Sequence, residues 1–492
     1  MENLRIALFI ILFLIMALSM FLRKVPALLA LPIMAFLIPL IAGLPLKVII
    51  QNVIGEGALK LHNAYTVAMF GSMLSILMQK TKVAENFIKK GAELSGDNPW
   101  LIAVIMLLLI TMLFTTLGGL GAIIMVATVV LPILSSVGVG PMTVVGIFLI
   151  GLSMGGILNA GNWAVYIDVM NLSIAQIRPF ALLMFGLTFL MSLVYITIRL
   201  YRDGHDLNLK KIVSVSLGII LSIAMMAIVY NTLSAPARQA IDSALRNIGH
   251  ALTYLSGFSI LFLFVYSILR IFTAKNRASG EVHWTSYFMP LIPLLLILIF
   301  SMNFIAAFIL GLIYGFLSTY RKGSLNILVR SILDGGAVVI PAVILMLGIG
   351  MLLNAIMGPG ADWDSVHPEG WPVLNMLRPL MEKIIPNSPL SYVMLFGLAA
   401  PLALYRGPLN VWGMGYGLAA VFLASGMNAA AVMGLLIAVG QVQGISDPTN
   451  THNVWLANEM KLDVQKVLWN TIPYTWVLAI IGLMFSAFMF MT

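Results

Sequence analysis

Arg406 stands between Tyr405 and Gly407-Pro408 in an apolar stretch, and further on the chain reads GISDPTNTHNVW (444–455). An arginine held in apolar surroundings faces a cavity or a partner, and its planar fork matches a carboxylate. Arg406 therefore reads either as a contact for an anionic substrate or as half of a structural ion pair with Asp447 or Asp168. Three readings stand for Asp447. It could hold sodium with Thr449, Asn450 and freed backbone carbonyls, carry a proton, or cap a helix start with Pro448 in its first turn. Thr451, His452 and Asn453 complete the cluster. His452 is either a proton shuttle or a hydrogen-bonded bystander.

Three further polar breaks interrupt apolar runs: TTLGGLG (115–121), GGILNAGNWAVYID (155–168) and YRGPLN (405–410). A break frees backbone carbonyls and amides, which is tolerated at membrane depth only inside protein or along a cavity. Half-helix N-termini attract anions, and freed carbonyls can hold a cation. Four converging breaks can thus form a substrate site flanked by ion sites. The substrate candidates are Arg406, Gly407, Asn410, Thr115, Thr116, Gly119, Asn159, Asn162 and Thr449. The ion-coupling candidates are Asp447, Asn450, Thr451, His452, Asn453 and Asn162, with sodium near Asp447 and Asn450 if the coupling ion is a metal. For Asn159 and Asn162 the plain alternative is capping of broken helix ends. Asp168 and Glu459 read as solvated ends, GMGYG (413–417) as close helix packing, and the methionines as apolar filler. No nucleotide loop, HExxH zinc motif or catalytic triad is visible, so an enzyme is not expected.

The elements that must position these residues are membrane-spanning. Of 492 residues, 61% are hydrophobic and 9% charged, far below the ~25% charge of soluble domains. Apolar runs predict spans near 6–22, 26–46, 61–79, 142–172, 179–199, 211–231, 252–271, 285–300, 303–319, 335–356, 429–457 and 470–491. The first run ends at Arg23-Lys24 without a small-residue cleavage site and reads as a span. Regions 101–136 and 391–426 each have a first arm of about 14 residues, roughly 21 Å as helix, short for a ~30 Å core. They read as re-entrant hairpins, with pairs of short full spans as the alternative. The net charge of +9 falls in short clusters between spans, which fits a bilayer partner rather than nucleic acid. Most lysines and arginines, from Arg23 and Lys24 to Lys461 and Lys466, fall on one side, which is then cytoplasmic. Both termini are predicted outside, in a multi-pass inner-membrane protein. Without cysteine, disulfides and thiol-based sites are excluded.

Shifting residues 117–162 by 288 positions places Gly119, Gly138, Gly146, Gly156 and Asn162 on Gly407, Gly426, Gly434, Gly444 and Asn450. Upstream, Gly57-Ala58 and Gly71 fall on Gly336-Ala337 and Gly350 at one shared offset of 279. The hairpins enter from opposite sides, so the expected architecture is all-α with two inverted-topology repeats and about 12 spans plus two hairpins. Residues 1–200 form the first repeat (hairpin 101–136, broken helix 142–172), 201–284 the linker helices, and 285–492 the second repeat (hairpin 391–426, broken helix 429–457). Segment 358–389 reads as an outer interfacial loop or short amphipathic helix.

A hairpin with a polar tip, then a small-residue-rich broken span carrying Asn, twice and inverted, resembles the ion transporter superfamily. That group includes the gluconate, citrate, divalent-anion and C4-dicarboxylate permeases. Gly161-Asn162 and Thr449-Asn450 sit where its broken spans carry polar residues. The serine-asparagine-threonine tip signature of its sodium-coupled dicarboxylate branch is replaced here by TTLGG and YRGPLN. The resemblance implies elevator-like alternating access and a homodimer. Arg406 and the exposed helix N-termini at the breaks point to a small organic anion (a carboxylate or sugar acid), imported with Na+ or H+ and with no other cofactor expected. A Na+/H+ antiporter of the same superfamily is the alternative, and a channel or membrane-embedded enzyme a more distant one.

Overall fold

The computed structural model describes residues 2–206, 234–273, 282–360 and 370–491, apart from residues 23, 95, 382–384 and 412–414, plus isolated positions in 207–233 and 361–369. The span expected at 211–231 lies outside the described residues. Every regular element among them is helical, as a bilayer demands of a chain that must satisfy its own backbone. Among the described residues, seven helices are long and apolar enough to cross a membrane, or up to eight if a bent pair counts as one. The chain is a polytopic membrane protein.

The first part runs α1 (Glu2–Phe21), α2 (Ala27–Ala42), and α3, a continuous helix from Leu46–Val48 through the π-helical Ile49–Gly55 to Glu56–Leu59. Next come α4 (His62–Lys80), α5 (Val83–Leu94), α6 (Pro99–Phe114), α7 (Gly119–Ser136), α8 (Pro141–Ile157), α9 (Ala160–Met170) and α10 (Ile174–Arg202). α5 is amphipathic: Val83, Ala84 and Ile88 are buried, while Lys89–Glu85 and Lys90–Glu93 pair outward at 2.7 and 2.5 Å. Asn98 starts α6 by accepting from the Trp100 and Leu101 amides, with Pro99 at the first position, where a missing N–H is harmless.

After α11 (Ala235–Thr273) the second part runs α12 (Leu291–Phe300), α13 (Phe304–Ser318), α14 (Ser324–Met357) and α15 (Pro372–Met381). It continues with α16 (Pro389–Ala399), a 3-10 turn (Ala400–Arg406), α17 (Tyr416–Ala424), α18 (Ala429–Ser446), α19 (Thr451–Glu459) and α20 (Val464–Phe490). Two expected spans are shorter than foreseen. α12 has 10 residues and α13 has 15, about 15 and 22 Å of helix against a ~30 Å core. Their apolar runs continue into a 3-10 segment (Trp284–Phe288) and a turn with Ser301 at φ +50°, and apolarity alone does not show where helix stops. Conversely, the run at 252–271 is part of one helix of 39 residues, α11. In the segment read as interfacial, α15 is the helical part, and Trp371 is buried against Gly358.

Two helix pairs organise the interior. α4 and the last turn of α3 pack along α14, with glycines at the closest approaches. A Cβ on Gly350 would lie 2.3 Å from the Gly57 carbonyl oxygen, and one on Gly335 would lie 2.5 Å from the Met73 Cα. Side chains at those positions would force the backbones apart. α8 packs against α18, and both are buried over most of their length. Segment 429–459 is the most enclosed of the long apolar segments.

Candidate functional site

Both breaks are built the same way. α8 and α9 are bent by 47° about residues 158–159. The Asn159 side chain accepts the Gly161 amide at 2.9 Å and donates to the Phe114 carbonyl at 3.2 Å, tying the break to the end of α6. In the second half Asp447 accepts the Thr449 amide at 2.9 Å and the amides of Tyr405 and Arg406 at 3.0 and 3.4 Å. Asp447 and Thr449 lie 288 positions after Asn159 and Gly161. In each half a side chain at the break thus accepts the amide two residues on and ties to the segment before it; Asn159 caps α9 in this way, whereas Asp447 closes the turn that precedes α19.

The freed carbonyls are also taken. Asn162 donates to the Gly156 carbonyl and Asn450 to the Gln443 carbonyl, each at 2.7 Å. Trp163 Nε1 donates to the Ile157 carbonyl at 2.7 Å. His452 Nε2 lies 3.3 Å from the Gly444 carbonyl, and Asn453 donates to the Ile445 carbonyl at 3.0 Å. Five of the last carbonyls of α8 and α18 are thus closed by side chains from beyond each break. This differs from the expectation of freed carbonyls waiting for a cation: each of the five already accepts at least one hydrogen bond, and those of Gly156 and Gln443 also take the Asn159 and Asp447 amides at 3.3 Å.

The Asp447 carboxylate is fully buried and takes five donors. Besides the three amides these are the Thr449 hydroxyl at 2.7 Å and the Asn410 amide at 3.2 Å. A buried carboxylate is stable when its lone pairs are filled by hydrogen bonds, and here neutral groups fill them. Arg406 makes no ion pair with Asp447 or Asp168 among the described residues. Asp168 is not a solvated end either. Its carboxylate accepts the Ala64 amide at 3.1 Å and the Asn63 side chain at 3.0 Å, so it caps the start of α4. Glu459 is exposed at the end of α19.

Arg406 is exposed at its tip. Tyr405 and Arg406 both lie in the left-handed region, at φ +55° and +56°, a conformation costing roughly 1–2 kcal/mol per non-glycine residue. The Asp447 carboxylate compensates by binding both of their amides. Gly407 is buried below; a Cβ there would come 2.1 Å from the Leu402 carbonyl oxygen. The tip is thereby held with Arg406 lining a cavity of ≈ 340 Å³. Arg406, Asn410, Asn162, Asn450 and His452 all line it.

Below the first tip lies a second cavity of ≈ 320 Å³, lined by Thr116, Gly119, Asn159 and Asn162 among others. The two cavities share Ile123, Leu152, Gly156 and Asn162 as walls. Thr115, Gly407, Asp447, Thr449, Thr451 and Asn453 line neither. Thr115 is buried with its hydroxyl turned to the Met112 carbonyl, 2.7 Å away. Thr451 is exposed, and Asn453 is buried. Asn453 Oδ1 has no hydrogen-bond partner among the described residues.

Sequence reasoning missed Gln441, Gln443, Ser153, Tyr166 and Tyr416, which also line the Arg406 cavity. Ser153 donates to Gln441 Oε1 at 2.9 Å, joining α8 to α18, and Gln443 Oε1 accepts the Val411 amide at 2.7 Å. The available signal was two glutamines within the apolar segment 429–446, Gln441 falling about one helical turn after Ile437, which lines the same cavity.

No protein-family model matches the chain, and no curated protein matches it by sequence. In overall fold the chain is similar to the YdaH transporter of Alcanivorax borkumensis, whose crystal structure is described as revealing an unusual topology. The TM-score is 0.52 at 13% identity, over 89% of this chain and 87% of that one. The likeness is one of fold, and it joins a helical membrane architecture already evident from composition to that of a solved transporter.

Proposed function

We propose that the chain is a secondary active transporter that imports a small organic anion, a carboxylate or sugar acid, with Na+ or H+. The observation that carries this reading is Arg406: a guanidinium without an ion-pair partner among the described residues, held at a conformationally costly tip over a cavity that both breaks line. An intramembrane arginine needs a counter-charge, and a bound carboxylate supplies one in the geometry a guanidinium prefers. The fold likeness to a transporter supports the class.

Two inverted repeats, residues 1–200 and 285–492 about a linker at 201–284, account for the recurring contacts. Hydrogen bonds at the breaks recur at an offset of 288. A twofold exchange at offset 279 turns the Gly57–Gly350 contact into one between Gly336 and Gly71, and Gly335 against Ser72-Met73 lies within two residues of that. Elevator-like movement of the hairpins and broken helices against the remaining helices, in a homodimer at the inner membrane with both termini outside, completes the proposal.

Coupling is assigned to the second break, near Asp447 and Asn450. A cation or proton arriving there competes with the amides of Tyr405 and Arg406 for the carboxylate, so occupancy and tip position are linked. A Na+/H+ antiporter would need carboxylates along the cavity; the described lining residues include none. The reading is tested by cation-driven uptake into proteoliposomes. Arg406→Lys, which keeps the charge but loses the fork, is expected to reduce anion uptake by at least tenfold at unchanged protein level. Undiminished uptake removes Arg406 from the substrate site.

A further inference from the structure

The transporter reading leaves the anion open, and the two cavities narrow it. We propose that the substrate is a monocarboxylate with an apolar body, its carboxylate at Arg406 and its body in the cavity below the first hairpin tip; this rests on the transporter reading and names its substrate class.

The charge inventory comes first. Among the described residues, Arg406 is the one permanently charged side chain lining either cavity. One guanidinium matches one carboxylate. A second or third carboxylate would face neutral amides or hydrocarbon, where an uncompensated charge is strongly disfavoured.

The second cavity supplies the other half of the substrate. It adjoins the first through their shared walls, and its described lining residues carry no charged side chain. Phe114, Leu117, Phe308, Val338, Ala342 and Met346 dominate it. Its polar groups are largely spoken for: Asn159 and Asn162 bond backbone carbonyls at 3.2 and 2.7 Å, and Thr116 bonds the Leu113 carbonyl at 3.3 Å. A polyhydroxylated body placed here would leave hydroxyls unpaired, at a cost for each one. Methylenes or an aryl ring would instead gain about fourfold in affinity per buried CH₂.

The internal register sharpens the contrast between the tips. The residue 288 positions before Arg406 is Gly118. Gly118 lines the second cavity, its φ of −155° suits any residue, and a Cβ there would meet nothing within 4 Å. The first tip keeps open space at the position where the second presents a cation. One half of the molecule is shaped for a charge and the other for an uncharged body.

The test is binding to the purified protein by calorimetry at saturating Na+ and at two pH values. Binding is preferred over flux because protonated monocarboxylates cross bilayers unaided. The series is acetate, butanoate, hexanoate and octanoate, with gluconate and citrate as hydrophilic comparators. Affinity should rise about fourfold per methylene, with gluconate and citrate at least tenfold weaker than hexanoate. Arg406→Gln should lower affinity across the series and leave the chain-length dependence intact. Gly118→Phe, which fills the open space, should flatten that dependence by at least tenfold between acetate and octanoate. A flat wild-type series overturns the proposal without any variant having to fold. Preferred binding of gluconate or citrate that depends on Arg406 overturns the apolar body and leaves the anion-transporter reading standing. Failure of every anion to bind overturns both.

Discussion

Asp447 shows how far a residue's role depends on partners remote in sequence. Its type and position before Pro448 allow a cap, a proton carrier or a sodium ligand. Four of its donors come from the tip at 405–410 and from Thr449 beside it, the fifth being the Thr449 hydroxyl. The tip donors lie about forty residues upstream, and no local pattern announces them. Arg406 was legible, because an arginine in apolar surroundings is rare enough to demand a function. Gln441 and Gln443 were not, because single amides in a long apolar helix leave its pattern unbroken. Asp447→Ala would leave the amides of Tyr405 and Arg406 without their acceptor in a left-handed tip. An unpaired buried polar group costs about 1–3 kcal/mol, so thermal unfolding in detergent should shift downward by several degrees and the tip should become protease-sensitive. Asp447→Asn keeps one acceptor oxygen and turns an NH2 donor toward the partners of the other, so it should recover only part of the stability while altering the cation dependence of uptake. Equal stability of the alanine variant and wild type would remove Asp447 from the clamp.

At the scale of elements, breaks are visible in sequence because glycine, asparagine and proline interrupt apolar runs that otherwise continue. That signal located the helix interruptions at 115–118, 158–159 and 447–450 and the irregular stretch at 404–410. It did not reveal that side chains of α9 and α19 turn back to close the carbonyls of α8 and α18, because the loop conformation decides which carbonyl each amide reaches. Nor did it delimit α12 and α13, whose apolar runs outlast their helices. The parallel construction gives a paired expectation. Asn162→Ala and Asn450→Ala each remove a hydrogen bond of 2.7 Å to a carbonyl, and both residues line the Arg406 cavity. Both should weaken substrate binding and slow uptake by about tenfold or more, each loss corresponding to a hydrogen bond of roughly 1–2 kcal/mol. A large effect from one and none from the other, in uptake normalised to reconstituted protein, would contradict equivalent roles for the two breaks.

For the whole molecule, the membrane class follows from 61% hydrophobic and 9% charged residues, and the all-helical architecture from the bilayer's demand for satisfied backbone. The expected 12 spans compare with seven or eight long apolar helices and five shorter ones among the described residues. The difference arises because hydropathy measures where a segment prefers to reside, whereas crossing also requires length. Orientation rests on the distribution of lysine and arginine. The cysteine-free chain is a ready background for testing it. Single cysteines introduced next to Met1 and Thr492 should react with a membrane-impermeant maleimide in intact cells. A C-terminal cysteine labelled only after permeabilisation would break the inverted-repeat proposal.

The central claim is that the molecule couples an anion held at Arg406 to a cation at the second break. Its most direct test is uptake of a labelled organic anion into proteoliposomes under separately imposed Na+ and pH gradients, with wild type and Arg406→Lys compared at equal reconstitution. The account predicts gradient-driven accumulation above equilibrium that requires one of the two cations and falls at least tenfold in the variant. Exchange of Na+ for H+ with no anion accumulation, and no dependence on Arg406, would contradict it.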